Sequence, residues 1–273
     1  MFMNKSIIIP VFNQLEYTKL CLISLTAHRP DLSEIIVIDN GSTDGTGEYL
    51  RGLDGISVIS NKTNLGVSVA WNQGVRSSDA EWVVIINNDV ILSQGWLNGL
   101  IEFAEENGVD LVSPAVREGE NNYDVAKYAD EFVRRMARVS RPGEAHGICL
   151  MVRRRVFETI GLFDENYRIG QFEDADFFRR AKAAGFRLSI TGRSFIHHFG
   201  SMTQKSFGRE KMVKPYVAEN RAYYRKKWRL NWWRRFLLRR RMKWRNFFWR
   251  TKEHVLYGHT LMEKWIDGRL RYY

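Results

Sequence analysis

Cysteine is nearly absent: Cys21 and Cys149 are the only two in 273 residues. That excludes a disulfide framework and makes a reducing cytosol the expected compartment. No apolar run approaches the roughly 20 residues needed to span a bilayer, so the chain is expected to be soluble or to lie on a membrane surface. No signal peptide is visible and none is expected, because Met1–Lys5 runs directly into a strand-like stretch. The glycine-rich phosphate loop of a dinucleotide dehydrogenase is missing too. After the first apolar run the sequence reads Pro10-Val11-Phe12-Asn13-Gln14. Finally, no Asp or Glu occurs between Asn220 and Lys252, a stretch with 14 Lys and Arg. The chain carries +11 in total, but outside that stretch 28 basic residues face 31 acidic ones. The positive charge therefore belongs to one C-terminal segment, which suits an anionic partner such as lipid headgroups, nucleic acid or a polyanionic substrate.

What is present is enough for a sizeable core, with 44% hydrophobic and 13% aromatic residues. The first 115 residues repeat a unit of short apolar run, polar turn and amphipathic stretch. The runs are Ser6–Pro10, Glu34–Ile38, Ile56–Ser60, Trp82–Ile86 and Asp110–Ser113. Helical patterns fall near Glu16–Ala27, Thr46–Leu53, Ser68–Ser77 and Gly95–Glu106. Such alternation predicts an α/β fold, with a mainly parallel sheet flanked by helices. Residues 117–143 are polar and irregular and read as a loop. Regular structure resumes with a strand at Ile148–Val152, helices at Arg153–Ile160 and Asp174–Ala184, and strands at Phe186–Ile190 and Ser194–His197.

On such a sheet, ligands bind at the carboxyl ends of the strands. Asp39-Asn40-Gly41-Ser42-Thr43-Asp44-Gly45 follows the second run. It offers an acid for a ribose or base, or simply a turn and helix cap. Asn87-Asn88-Asp89 follows the fourth run and offers oxygen ligands for a hard cation, or a polar turn. Asn64-Leu65-Gly66 and Asn72 either line a nucleotide pocket or cap and pack a helix. Glu173-Asp174 opens a helix, with Asp176 a turn on; the pair is a general base or an acid cluster favoured by the helix dipole. His197 and His198 end a β-branched strand and are metal ligands or packing residues.

The order and spacing of these pieces are more specific than any one of them. Ser-Ile-Ile-Ile-Pro-Val-Phe-Asn at 6–13, Ile-Asp-Asn-Gly-Ser-Thr-Asp-Gly at 38–45, Asn-Leu-Gly at 64–66 and Asn-Asn-Asp at 87–89 come in that order. The block Gly147–Asp164, Phe172-Glu173-Asp174-Ala175-Asp176 and His198-Phe199-Gly200-Ser201 follow. Together they resemble the family 2 glycosyltransferases of GT-A fold, over roughly residues 5–203. The resemblance implies an inverting, metal-dependent transfer from a nucleoside-diphosphate sugar (UDP, GDP or dTDP) to an acceptor hydroxyl. It implies a nucleotide site at Pro10, Val11, Phe12, Asn13 and Asp39, with Asn64, Gly66, Asn72 and Asn88. It implies a Mn2+ or Mg2+ site at Asn87 and Asp89, the ends of a DXD-like motif whose first acid is Asn here. Asp174 matches the catalytic base, beside Glu173. A histidine after the last core strand often completes the metal site, and the short His-Phe-Gly-Ser spacing favours His198 over His197.

The expected organisation is a GT-A domain over 1–216, with a nucleotide half at 1–115 and an acceptor half at 144–203. A basic, aromatic helical segment follows at 217–273. On a helical wheel, Trp233, Phe236, Leu237, Trp244, Phe247 and Phe248 fall within about 60° of one line, with Arg240 interrupting the stripe. Basic residues flank it, the pattern of an interfacial helix lying on an anionic membrane surface, here the inner face of the plasma membrane. A helix packed on the catalytic domain is the other reading. Three functions remain open: assembly of a surface glycan on a glycan or lipid-linked acceptor, transfer to a nucleic acid, and a non-catalytic module that binds a nucleotide sugar.

Overall fold

The structure, a computed structural model, describes residues 4–28, 33–200 and 215–273. In chain order, strand β1 (Lys5–Val11) is followed by helix α1 (Leu15–Ala27), β2 (Ser33–Asp39), α2 (Thr46–Arg51), β3 (Ser57–Ser60) and α3 (Val67–Arg76). Then come β4 (Trp82–Ile86), β5 (Val90–Leu92), α4 (Trp96–Asn107), β6 (Leu111–Glu118), α5 (Val125–Met136) and β7 (Ser140–Pro142). The rest comprises β8 (Cys149–Arg153), α6 (Arg154–Ile160), α7 (Glu173–Ala183), β9 (Leu188–His198), α8 (Pro215–Lys227), α9 (Trp232–Tyr257), β10 (Met262–Ile266) and β11 (Arg269–Tyr272). The sheet runs β11-β10-β6-β8-β4-β1-β2-β3, with β9 pairing β5, β6 and β7. β1 pairs in parallel with β2 and β4, and β2 in parallel with β3, while β8 is the antiparallel insert between β4 and β6.

Helices cover both faces, which is why the strands are continuous apolar runs instead of alternating ones. Ile7, Ile9 and Val11 pack with Leu22 and Leu25 of α1 and Leu97 and Leu100 of α4. Ile8, Ile36 and Ile38 face the other way, onto Ala70 and Val75 of α3 and onto Phe177 of α7. Gly74 sets how closely α3 lies on β1: a Cβ there would sit 2.4 Å from Ile8 Cγ2.

The structure departs from the sequence expectation in three places. Residues 117–143 are not a loop. β6 runs on to Glu118, and α5 follows, capped by the Asp124 carboxylate, which accepts from Lys127 N–H. α5 buries only Ala129, Phe132 and Met136, too sparse a stripe to read through its charges. The two strands expected at 186–197 are one, β9, with an irregularity in its pairing between Pro114 and Ala115 of β6. And 217–273 is neither wholly helical nor separate, because β10 pairs in parallel with β6 and β11 closes a hairpin on it. A buried ion pair ties this segment down. The Arg141 guanidinium donates twice to Glu253, at 2.7 and 2.7 Å, and once to the Tyr273 carbonyl. Glu253 also accepts from Leu261 N–H at 2.9 Å.

Glu253→Ala leaves Arg141 buried without its partner, and should cost about 3–5 kcal/mol. The shift of the denaturant midpoint measures it. Replacing both residues by apolar ones of similar size should cost much less.

Candidate active site

The carboxyl ends of β1, β4, β6 and β9 meet along one edge of the sheet, at a cleft of about 570 Å³. Its first wall is the nucleotide side expected from the sequence. Pro10, Val11 and Phe12 line it, with Asn64 opposite. Asn40 ties the wall together: its Nδ2 donates to Asn64 Oδ1 at 2.9 Å, and its Oδ1 accepts from Asn61 Nδ2 and from Leu65 N–H. Asp39, one residue earlier, points away. Its Oδ1 accepts from Ser42 N–H at 2.9 Å, and its Oδ2 lies beside Gly47. Asn13 likewise turns from the cleft, accepting from Thr43 N–H at 2.7 Å. Neither it nor Asp39 lines the cleft.

Gly66 stands behind the wall at φ 92°, where a Cβ would meet Ile169 N at 3.0 Å. Asn72 is a structural clasp rather than part of the pocket surface. Its amide donates to the Phe163 carbonyl and to Glu165, and accepts from Phe163 N–H. This seats the 161–165 turn on α3, and both hydrogen-bonding ends of the side chain are thereby used.

Asn87, Asn88 and Asp89 form the floor. Asn88 donates to Thr18 Oγ1 at 2.9 Å, and Asp89 is buried. His198 stands against Asp89, with Nε2 3.3 Å from Oδ1, and its Nδ1 is 3.5 Å from Glu118 Oε2. Neither ring nitrogen completes a hydrogen bond. Burial opposes a charge on this ring, but the Asp89 and Glu118 carboxylates outweigh it and push its pKa up to about 9. The same contact with His198, helped by Lys264, holds Glu118 down at about 2.

His197 lies on the opposite face of β9, because successive strand residues alternate. It is fully buried, 2.9 Å from Tyr123 Oη, and does not line the cleft. Burial, then the charges of His198 and Arg117, lower its pKa to about 4. Among the described residues no group of three or more His, Cys, Asp or Glu is arranged as a metal cage. The carboxylate and unengaged imidazole of Asp89 and His198 nevertheless suit a hard or borderline cation that takes its other ligands from diphosphate and water. A proton on His198 would compete with such an ion.

Across the cleft, α7 opens with Glu173 and Asp174. Glu173 is buried and its Oε2 has no hydrogen-bond partner. Asp174 Oδ1 accepts from Ala175 N–H at 2.6 Å. Gly147 passes so close that a Cβ there would be 3.2 Å from Asp174 Oδ2. Burial raises the pKa of both carboxyls, and for Glu173 the Asp174 charge adds to it. Asp176 plays no part in the cleft: it is fully buried and engaged by Arg180, Lys227 and the Trp228 indole N–H.

Sequence reasoning missed Asn40, Trp71, Glu118, His146, Gly147 and Tyr216, all of which line the cleft. Asn40 was within reach, since strand alternation puts Asp39 and Asn40 on opposite sides. Glu118 was not, because it required β6 to continue into what reads as a loop. Ser201, the last residue of the His-Phe-Gly-Ser motif, lies outside the described residues.

The fold defines the class of this protein. It resembles two solved structures titled "Crystal structure of GalNAc-T7 with UDP, GalNAc and Mn2+" and "Crystal structure of S. aureus TarS 1-349". Their TM-scores are 0.58 and 0.57, at 16% and 19% identity. Each match covers 72% of this chain, and 44% and 60% of the other respectively. These are GT-A glycosyltransferases, and the likeness establishes the fold. The family model "Glycosyl transferase family 2" matches residues 6–166, and the chain belongs to that family. Glycosyltransferase AglE of Haloferax volcanii is 29% identical over 215 residues, 74% of this chain and 70% of that protein. The N-acetylglucosaminyl-diphospho-decaprenol L-rhamnosyltransferase of Mycobacterium tuberculosis is 27% identical over 218 residues, 66% of this chain and 70% of that protein. The chain is a glycosyltransferase that moves a sugar from a nucleotide sugar to an acceptor.

The raised pKa of Glu173 has a consequence for stability. Below its ordinary value of 4.5 the carboxyl is protonated whether the chain is folded or not. As pH rises above that, the unfolded chain ionises first and the folded state loses ground until Glu173 itself titrates. Glu173→Gln removes this penalty. Its melting temperature should match wild type near pH 4 and exceed it by a few degrees near pH 8. A constant difference across that range would show that Glu173 is ionised in the folded protein.

Proposed function

We propose that the cleft carries out a metal-assisted, inverting transfer, with Asp174 as general base. The observation behind this is the placement of Asp89 and His198 on one side of a single cleft and Glu173-Asp174 on the other. The nucleotide lies against Pro10–Phe12, Asn40 and Asn64, with Asn13, Asp39 and Gly66 holding the loops that frame it. The diphosphate reaches Asn87, Asn88 and Asp89. A divalent cation, Mn2+ or Mg2+, held by Asp89 and His198 beside Asn87, would offset charge on the leaving diphosphate. The acceptor hydroxyl enters from the Gly147 side and loses its proton to Asp174 as it attacks the anomeric carbon from the face opposite the diphosphate. The buried setting that raises the Asp174 pKa also makes the carboxylate a better base. Glu173 beside it is buried as well, and burial raises the pKa of both carboxyls. Holding donor and acceptor in line supplies the remaining advantage.

The test uses hydrolysis or transfer from a panel of UDP-, GDP- and dTDP-sugars. Asp174→Asn keeps the shape, so nucleoside diphosphate affinity should survive while the rate falls roughly 10²-fold or more. Asp89→Ala should abolish turnover and remove the Mn2+ dependence of nucleoside diphosphate binding. Wild-type transfer by Asp89→Ala with chelator present would refute the metal assignment.

The acceptor we favour is a glycan or a lipid-linked sugar, met at a membrane surface. The decaprenol-linked acceptor in the name of the mycobacterial relative supports this. So does α9. Its aromatics are exposed rather than packed on the catalytic domain, with Trp233 at 65% and Phe248 at 64%. No described helix is long and apolar enough to cross a membrane, which leaves contact from one side. Each basic residue near an anionic surface contributes about 1 kcal/mol. A nucleic-acid acceptor is the weaker alternative, because the aromatics form a face instead of interleaving with the charges. The full chain should sediment with phosphatidylglycerol vesicles at low salt and much less with phosphatidylcholine. Trp244→Ser combined with Phe248→Ser should reduce that binding several-fold without changing the fold. Equal sedimentation of both proteins would refute the anchor.

A further inference from the structure

The turn that delivers Glu173-Asp174 is held in an unfavourable shape. Ile169, Gln171 and Phe172 have φ of 61°, 77° and 78°, the left-handed region that residues with a Cβ avoid. Such a turn persists only where its surroundings dictate it. On one side it is backed by the donor half: Val67 N–H donates to the Ile169 carbonyl at 2.8 Å, and Gly66 leaves just enough room for it. On the other side lies α8 of the C-terminal segment, where Glu219 pairs with the Arg168 side chain and one buried residue reaches the backbone of the turn. Asn220, 2% exposed, donates through Nδ2 to the carbonyls of Arg168, Gly170 and Gln171, at 2.9, 2.9 and 3.2 Å. Its Oδ1 accepts from Arg168 N–H at 3.0 Å. One buried amide therefore satisfies three converging carbonyls and one N–H of the turn. An aliphatic side chain there would remove this partner from the Gly170 and Gln171 carbonyls and the Arg168 N–H, leaving the Arg168 carbonyl only its bond from Gly170 N–H, at a cost in desolvation.

The rest of α8 grips the element that follows the turn. The Phe172 ring lies 5.6 Å from that of Tyr224. Lys227 and the indole N–H of Trp228, just past the helix, bind Asp176 of α7 at 3.0 and 2.8 Å. Tyr223 donates to Asp164 at 2.9 Å. Tyr216, at the start of α8, lines the cleft itself.

We propose that Asn220 is a positioning residue of the transfer reaction: it holds the 168–172 turn, and through it the Glu173-Asp174 pair, in the geometry that faces the acceptor hydroxyl. The C-terminal segment then belongs to the catalytic apparatus from its first helix onward. The proposal rests on the reading of Asp174 as base, and the two fail separately.

The test uses the full chain with Asn220→Ala and Asn220→Asp. The aspartate keeps an acceptor for Arg168 N–H but sets a charge against three carbonyls, so it should be no better than alanine. Three quantities are measured. These are the affinity for UDP, GDP and dTDP with Mn2+, the rate of nucleoside diphosphate release from the matching sugar nucleotides, and amide exchange along the chain. Both variants should bind the preferred nucleoside diphosphate within about twofold of wild type and lose at least tenfold in kcat. Their acidic pH limb should move toward the ordinary carboxylate range, because a loosened turn hydrates the pair. Exchange should rise at 169–175 and stay unchanged in β1, β2 and β4. Wild-type kcat with an unmoved pH limb overturns the proposal. So does a loss of kcat matched by an equal loss of nucleotide affinity and of protection throughout the chain, which marks a structural role only. The base assignment fails instead on Asp174→Asn alone, if that variant keeps wild-type kcat.

Discussion

Asp89 and His198 meet because β5 pairs antiparallel with β9, and most of the cleft follows from that short ladder. Its register sets Val90 opposite His198, and the chain closes with Phe199 N–H on the Asp89 carbonyl at 3.0 Å. β4 ends in the acid, the chain turns at once into β5, and β9 returns the imidazole to the same edge. β9 also pairs with β6, which brings Glu118 level with His198. A one-residue slip would exchange His198 for His197 and turn the cleft-facing imidazole behind the sheet. Strand register, more than any loop, thus decides the chemistry on the donor side.

The cleft is electrostatically divided. Asp89, His198, Glu118 and Lys264 form a chain of alternating sign running from the floor to β10, and its ionised forms support one another. The Glu173-Asp174 side has no such compensation: Glu173 is buried with its Oε2 unpartnered, and both carboxyls are pushed toward the neutral form. One wall therefore carries charges that offset one another, and the other carries acids whose charged form burial disfavours.

The C-terminal segment has two faces with separate physical logic. Inward it is polar and specific, through Asn220 on the turn, Lys227 and Trp228 on Asp176, Glu253 on Arg141 and Lys264 on Glu118. Outward α9 is aromatic and cationic, and among the described residues Trp233, Leu237 and Phe248 stand exposed on it. A charge run by itself reads as a solvated or sticky surface. That half of it closes the core is visible only once two of its four acids, Glu253 and Glu263, are seen to be buried.

The β/α alternation of the first 115 residues and the positions of the polar loops that end its strands were legible in the sequence, because each depends on local period and on residues adjacent in the chain. The continuous apolar runs state that both faces of the sheet are covered, and the polar triplets after them mark the edge where ligands bind. Which member of each triplet or pair faces the cleft depended on strand alternation in three dimensions, which replaced Asp39 by Asn40 and set His197 aside. Asn72 fell on the wrong side of its alternatives because its partners lie about ninety residues away. Helix α5, hidden under its charges, and the pairing of β10 with β6 were likewise decided by tertiary contacts. Local propensity names elements, but satisfying buried amides, carboxylates and strand edges is a property of the whole fold, and that requirement placed Glu118, Asn220 and the C-terminal hairpin where they are.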